Sequence, residues 1–224
     1  LSEIIVTSLS GYNSGWVPFE AAAWLDMLEA NAFGNYRTLL QQVSTSVAMG
    51  EYLTFRGNVK QNTTTGAMPD ENYARECMQL FTIGLVQLNL DGTPKLVNGA
   101  PQETYTLDDV TGLARVFTGW NYDLTGTVTT VPEFKRRPMI VTAKNHETGA
   151  KTFLGTTIPS GTSGENSLTM ALDTIFGHAN LPPTTSPHLT HPLVPHNPPP
   201  PPATHPPASC PHTRARRHGP LHPP

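Results

Sequence analysis

Proline locks φ and removes a backbone donor, so a proline run bars both helix and sheet. In this chain of 224 residues the prolines are sharply segregated. Residues 181–224 hold 16 of the 23 prolines and 7 of the 9 histidines, yet none of the 17 Asp and Glu. Any hydrophobic core must therefore come from residues 1–180, and 181–224 reads as a low-complexity, disordered Pro/His-rich tail. The first 180 residues suffice for one domain, since a stretch of that size buries roughly 70% of the surface its unfolded chain exposes.

Within that stretch the apolar residues recur mostly at helical spacing, which predicts a mainly α fold of packed helical hairpins. Leu1 to Val6 reads as the end of an apolar helix, so the chain is expected to be an internal piece of a longer protein. A Ser/Gly/Asn loop leads to Pro18, which suits a first helical turn. Phe19, Ala22, Ala23, Trp24, Leu25, Met27 and Leu28 then give an apolar surface up to Asn31. Tyr36, Leu39, Leu40 and Val43 continue the pattern, and a short helix follows through Met49, Tyr52 and Leu53.

Residues 57–69 have loop chemistry, and Asp70 can accept free backbone N–H groups as an N-cap. In the helix that follows, Tyr73, Cys77, Leu80 and Phe81 share one face, and Asn72, Arg75, Glu76 and Gln79 another. Leu85 to Leu90 prolongs that helix or forms a short strand. Thr106 to Asp109 resembles a capping box with Asp in place of Glu, opening a helix along Leu107, Val110, Leu113, Ala114 and Phe117. Residues 121–164 are rich in Thr, Gly and Pro, and Thr127 to Val131 with Met139 to Thr142 are expected to pair as short strands. A last helix, capped near Ser163, carries Leu168, Ala171, Leu172, Ile175 and Phe176 and closes near Gly177.

Charge and cysteine content exclude several function classes. The net charge is −3, and beyond Lys135-Arg136-Arg137 and the Arg214 to Arg217 run the basic residues are scattered. No stripe suits a phosphate backbone, so nucleic acid is not expected as a partner. Cys77 and Cys210 make neither a disulfide framework nor a metal-ligand cluster. No apolar run approaches the roughly 18 residues needed to span a bilayer. Asn89-Leu90-Asp91-Gly92 is no calcium loop, because Gln87 and Asn98 fall where the first and twelfth ligands belong. Gly161-Thr162-Ser163-Gly164 lacks the spacing of a nucleophile elbow, and no phosphate-cradling glycine loop is present. No cofactor follows from these residues.

Four stretches carry a resemblance. They are Asn31 to Arg37; Pro69 to Glu76 running on through Leu80-Phe81-Thr82-Ile83-Gly84; Leu113-Ala114-Arg115 with Phe117-Thr118-Gly119-Trp120; and His146 to Gly155. In order and spacing these resemble the bacterial family called domain of unknown function 1800, which usually has Asp where this chain has Glu147. The resemblance covers about residues 1–180. It implies a mostly helical protein longer than this chain, exported or periplasmic, with a protein of a sulfatase-like family encoded nearby as a partner. It implies no reaction. Past residue 188, Leu189, Leu193, Val194, Asn197 and Pro198 keep the family's register while intervening positions become His, Thr or Pro. Several of those departures need one base changed to C, so the tail reads as degraded sequence.

Two sets of polar residues are candidates for chemistry. His146-Glu147 begins like a zinc-protease helix, but Ala150 stands where the second His is required. On a loop, His146, Glu147 and Lys151 could still serve acid–base work, with imidazole as proton carrier, or could simply hold the loop by hydrogen bonds. Asn72, Arg75, Glu76 and Arg115 form a candidate binding set, since a guanidinium grips carboxylates bidentately. Alternatively, Arg75 or Glu76 pairs with Arg115 or Asp108 and ties two helices together. Trp24 and Trp120 read as core or rim aromatics. With no catalytic motif complete, the leading expectation is an exported or envelope-associated binding or assembly module. The alternative is a hydrolase-like enzyme built on His146, Glu147 and Lys151 with help from Arg75. Resequencing the locus checks the tail: a clean read is expected to lack the proline run, and one that keeps it overturns that reading.

Overall fold

The computed structural model describes residues 1–12, 15–126 and 132–190, the last three by backbone alone. Among them the chain is mainly helical, with three small antiparallel two-stranded sheets. Residues 1–5 form a single hydrogen-bonded turn, with Ile4 and Ile5 N–H both donating to Leu1 O, rather than the expected helix end.

Helix α1, Val17–Ala30, carries Pro18 in its first turn. Its buried face is Glu20, Trp24 and Leu28, at i, i+4 and i+8, whereas Leu25 is exposed. The apolar count along this segment thus misplaced the inward face, because a buried glutamate stands at its start. Helix α2, Tyr36–Thr45, is capped by Asn35, whose side chain accepts from Thr38 N–H. Helix α3, Val47–Tyr52, buries Val47 through Glu51 and completes a helical hairpin.

The 57–69 loop is closed by Asn58, whose amide bonds Asp70 at both ends. Asp70 also accepts from Asn72 N–H at 2.8 Å, so it does take a free donor, one residue before the cap position of helix α4, Asn72–Gln79. Tyr73, Cys77 and Phe81 enter the core as their spacing predicts, while Leu80 faces solvent. Tyr73 stacks on Phe55 at 4.2 Å between centroids and meets Phe117 edge-on at 4.6 Å. Such aromatic pairs add specificity to a core otherwise built by area burial.

Between α4 and the next helix the chain forms a projecting arm. Its segments pair through the Val86–Glu103 and Leu88–Pro94 bridges and through β1, Leu96–Val97, with β2, Ala100–Pro101. The two-residue turn is Asn98-Gly99, both at positive φ, a type I′ hairpin that the Asn-Gly pair favours.

Helix α5, Leu107–Ala114, has the full capping box: Thr106 Oγ1 accepts from Asp109 N–H and Asp109 accepts from Thr106 N–H. Asp109 also accepts from Leu154 N–H at 2.6 Å, which joins the cap to the hairpin of β5, Lys151–Phe153, and β6, Thr156–Ile158. Beforehand come β3, Trp120–Asn121, and β4, Ile140–Val141. Ile140–Val141 pairs with Trp120–Asn121, and the expected partner Thr127 to Val131 lies outside the described residues.

Helix α6, Gly164–Phe176, is capped by Ser163, and Leu168, Ala171, Leu172 and Ile175 are buried as predicted. Arg37 reaches it from α2, pairing with Asp173 at 2.9 Å and donating to Thr169 O. The chain then continues as α7, Leu181–Thr190, ten residues past the expected start of the tail. Asn180 and Thr184 anchor it through bonds to Ile83 O and, from Asn180, to Val86 O. The tail expected beyond, residues 191–224, lies outside the described residues.

At Gly112 a Cβ would stand 1.8 Å from Thr152 O, so α5 and β5 touch backbone to backbone there. Gly112→Ala is expected to destabilise the protein by at least about 3 kcal/mol, and Thr106→Ala by about 1 kcal/mol through loss of the cap. Denaturant unfolding of the two variants checks both values.

Candidate functional site

His146 follows a 3-10 turn, Ala143–Asn145, and packs on Gly119. Gly119 has φ +85°, and a Cβ there would lie 2.9 Å from His146 N, so the close approach needs glycine. His146 is 3% exposed, and its Nδ1 lies 2.8 Å from Thr118 O. A carbonyl only accepts, so Nδ1 carries the proton and Nε2 the lone pair. Nε2 is buried without a hydrogen-bond partner. Burial pushes the imidazole pKa below its ordinary value, the Thr118 bond partly offsets this, and the nearby Lys151 charge adds to it.

Glu147 N–H donates to Thr118 Oγ1, while Glu147 Oε1 accepts from Gly149 N–H. Lys151, in β5, is 0% exposed and its Nζ reaches Gly149 O at 3.4 Å. Burial also lowers the Lys151 pKa, with Glu147 opposing and Arg115 reinforcing the shift. Arg115 adds a buried Nε without a hydrogen-bond partner. His146, Glu147 and Lys151 thus stand within electrostatic reach of one another, and Arg115 joins them from the second candidate set. A neutral imidazole with a bare lone pair is chemically able to take a proton, but both it and the lysine are enclosed.

The second set divides. Arg115 lies near Lys151, whereas Asn72, Arg75 and Glu76 belong to α4. Arg75 pairs with Glu71 at 3.2 Å, and Glu71 Oε1 accepts from Thr111 Oγ1 of α5 at 2.7 Å. The tie between the two helices therefore runs through Glu71 and Thr111, not through Arg75 or Glu76 to Arg115 or Asp108. The reason is position: Glu71 precedes the first turn of α4, where that helix meets α5. Asn72 Nδ2 approaches Leu53 O at 3.5 Å. Arg75 and Gln79 line a cavity of about 350 Å³ together with Leu85, Val86, Glu103, Tyr105 and Leu107. Glu76 contributes to the field at Tyr105, whose phenol pKa burial raises, with Arg75 lowering and Glu76 raising it.

A third constellation was missed by the sequence reading. Lys135 Nζ donates to Glu20 Oε2 at 2.7 Å, to Glu51 Oε1 at 2.6 Å and to Tyr122 OH at 3.0 Å. Tyr122 OH donates to Glu51, and the Arg56 guanidinium lies 4.3 Å over the Tyr122 ring. Burial raises the Glu20 carboxyl pKa, partly offset by Lys135. For Lys135, burial acts downward but the bonds to Glu20, Glu51 and Tyr122 prevail and the pKa is raised. A cavity of about 260 Å³ adjoins Glu20 and Lys135, and an open one of about 630 Å³ adjoins Arg56 and Tyr122. The legible signal was Glu20 in the i, i+4, i+8 stripe with Trp24 and Leu28. Lys135 stood only as part of the basic run Lys135-Arg136-Arg137. Among the described residues no group of three or more His, Cys, Asp or Glu could hold a metal ion, and no helix is long and apolar enough to cross a membrane.

Lys135→Met leaves two buried carboxylates without their shared cation and is expected to cost about 3–5 kcal/mol in chemical denaturation. His146, with its folded pKa below the ordinary 6.5, contributes stability that is present above that value and is lost as pH falls through it. Acidification from about pH 7.5 to about pH 5.5 is therefore expected to lower the melting temperature more in the parent than in His146→Gln. The raised Glu20 carboxyl acts with opposite sign in both proteins and cancels from that difference.

A family model described as a protein of unknown function, DUF1800, matches residues 2–206, beyond the point to which the four sequence stretches reach. No curated protein and no solved structure is matched. With the match spanning most of its length, the chain belongs to the DUF1800 family.

Proposed function

We propose that the protein is a binding and assembly module, and that its contact element is the arm of residues 85–104. One observation carries this reading. The arm concentrates exposed apolar side chains, with Leu90 at 91%, Leu96 at 61% and Val97 at 52% exposure. Apolar surface gathered on one projecting element marks a site of contact more often than scattered exposed residues do.

The hydrolase-like alternative requires His146 and Lys151 to reach a substrate. Both are enclosed, and a general base has to come within about 3 Å of the proton it removes. The enclosed pair therefore serves as framework in this reading. Export to the envelope and a sulfatase-like partner are the parts of the proposal that come from the family resemblance.

Co-expression with the neighbouring sulfatase-like protein tests the reading. Co-elution is expected for the parent and is expected to be lost when Leu90, Leu96 and Val97 are changed together to Asp, with the melting temperature within about 2 °C of the parent's. Co-elution that survives those changes, or turnover of model esters that disappears in His146→Ala, overturns it.

A further inference from the structure

The cavity between α4, the start of α5 and the root of the arm has a lining that specifies a ligand. Its volume of about 350 Å³ lies at the lower end of the range for small-molecule sites. Arg75 is its cation. The guanidinium gives one hydrogen bond, from Nη2 to Glu71, and Glu71 is itself fixed by the Thr111 hydroxyl. Nη2 keeps a second N–H, so one two-pronged edge, Nη2 with either Nε or Nη1, remains on a side chain that is 42% exposed yet held in orientation, an arrangement suited to two parallel bonds to a carboxylate. Tyr105 lines the same cavity, and its hydroxyl oxygen is buried without a hydrogen-bond partner. A protonated phenol offers one more donor to an anionic oxygen.

The charge around the arginine limits the anion. Glu71 pairs with it, Glu76 acts on the neighbouring Tyr105, and Glu103 stands in the cavity lining. A dianionic phosphate would meet these carboxylates with twice the charge of a single carboxylate, so the monoanion is the better fit. The apolar side of the cavity is equally definite. Leu85 and Leu107 both line it and both are exposed, so an apolar group placed there removes their surface from water as well as its own. We propose that this cavity binds an α-carboxylate carried next to an apolar side chain. That chemistry is shared by a free apolar amino acid, whose ammonium would face Glu103, and by the C-terminus of a peptide, which lacks it.

Calorimetric titration of the full chain with leucine, N-acetyl-leucine, leucinamide and the tripeptide alanyl-alanyl-leucine tests the assignment. Binding of the three carboxylates with loss of at least about tenfold for leucinamide is the expected pattern. Preference for leucine over its acetyl form assigns a free amino acid, and preference for the tripeptide assigns a chain terminus. Arg75→Gln is expected to weaken binding more than about tenfold, and Tyr105→Phe about fivefold with an unchanged melting temperature. Leucinamide binding as tightly as leucine, affinity unaltered in Arg75→Gln, or no heat with any of the four probes overturns the proposal. A negative result leaves the co-elution experiment on the arm intact, since none of the residues changed there lines this cavity.

Discussion

A buried ammonium shared by two buried carboxylates is the constraint around which the N-terminal half is arranged. Lys135 meets Glu20 of α1, Glu51 of α3 and Tyr122 beyond β3, so one side chain joins three segments far apart in the chain. Removing such charges from water costs several kcal/mol each, and only close, multiply bonded geometry offsets it. The consequence is directional: α1 can present only the face that holds Glu20, and the 3-10 turn carrying Lys135 can dock only where both carboxylates converge. Apolar packing alone would tolerate sliding and rotation; a charge that must be met within 3 Å does not.

The C-terminal half is organised differently, by backbone contact. Gly112 lets the β5 strand lie directly on α5, Asp109 serves the helix cap and Leu154 N–H at once, and Gly119 admits His146. These contacts place His146, Glu147, Lys151 and Arg115 together, with the imidazole and the ammonium buried and the other two half-buried. The same helix pair, α4 and α5, also lines the Arg75 and Tyr105 cavity. The buried His146 and Lys151 and the open Arg75 and Tyr105 cavity are thus two separate polar sites.

Local chemistry was legible without the fold. Caps at Thr106 and Ser163 act on backbone groups within three residues, and the helices along Leu39 to Val43, Val110 to Ala114 and Leu168 to Ile175 bury the faces their spacing marks. The loop character of His146 to Gly149 was equally readable, because Gly149 and the neighbouring threonines disfavour helix. The Asn98-Gly99 hairpin was also present as a local signal, though no element was expected there.

Partners distant in the chain were not legible. Lys135 is separated from Glu20 by 115 residues and from Glu51 by 84, and nothing in the run Lys135-Arg136-Arg137 distinguishes a buried ammonium from a solvated one. Likewise Arg75, Glu76, Arg115 and Asp108 offered every pairing that opposite charge permits, and only the docking of α4 on α5 selected Glu71 with Thr111. The sequence by itself determined where helices start, stop and turn their apolar faces, since caps, glycines and periodicity act within one or two turns. The tertiary structure decided which charges are buried, which pair, and which remain open to a ligand, because those outcomes depend on distances between segments that no local pattern encodes.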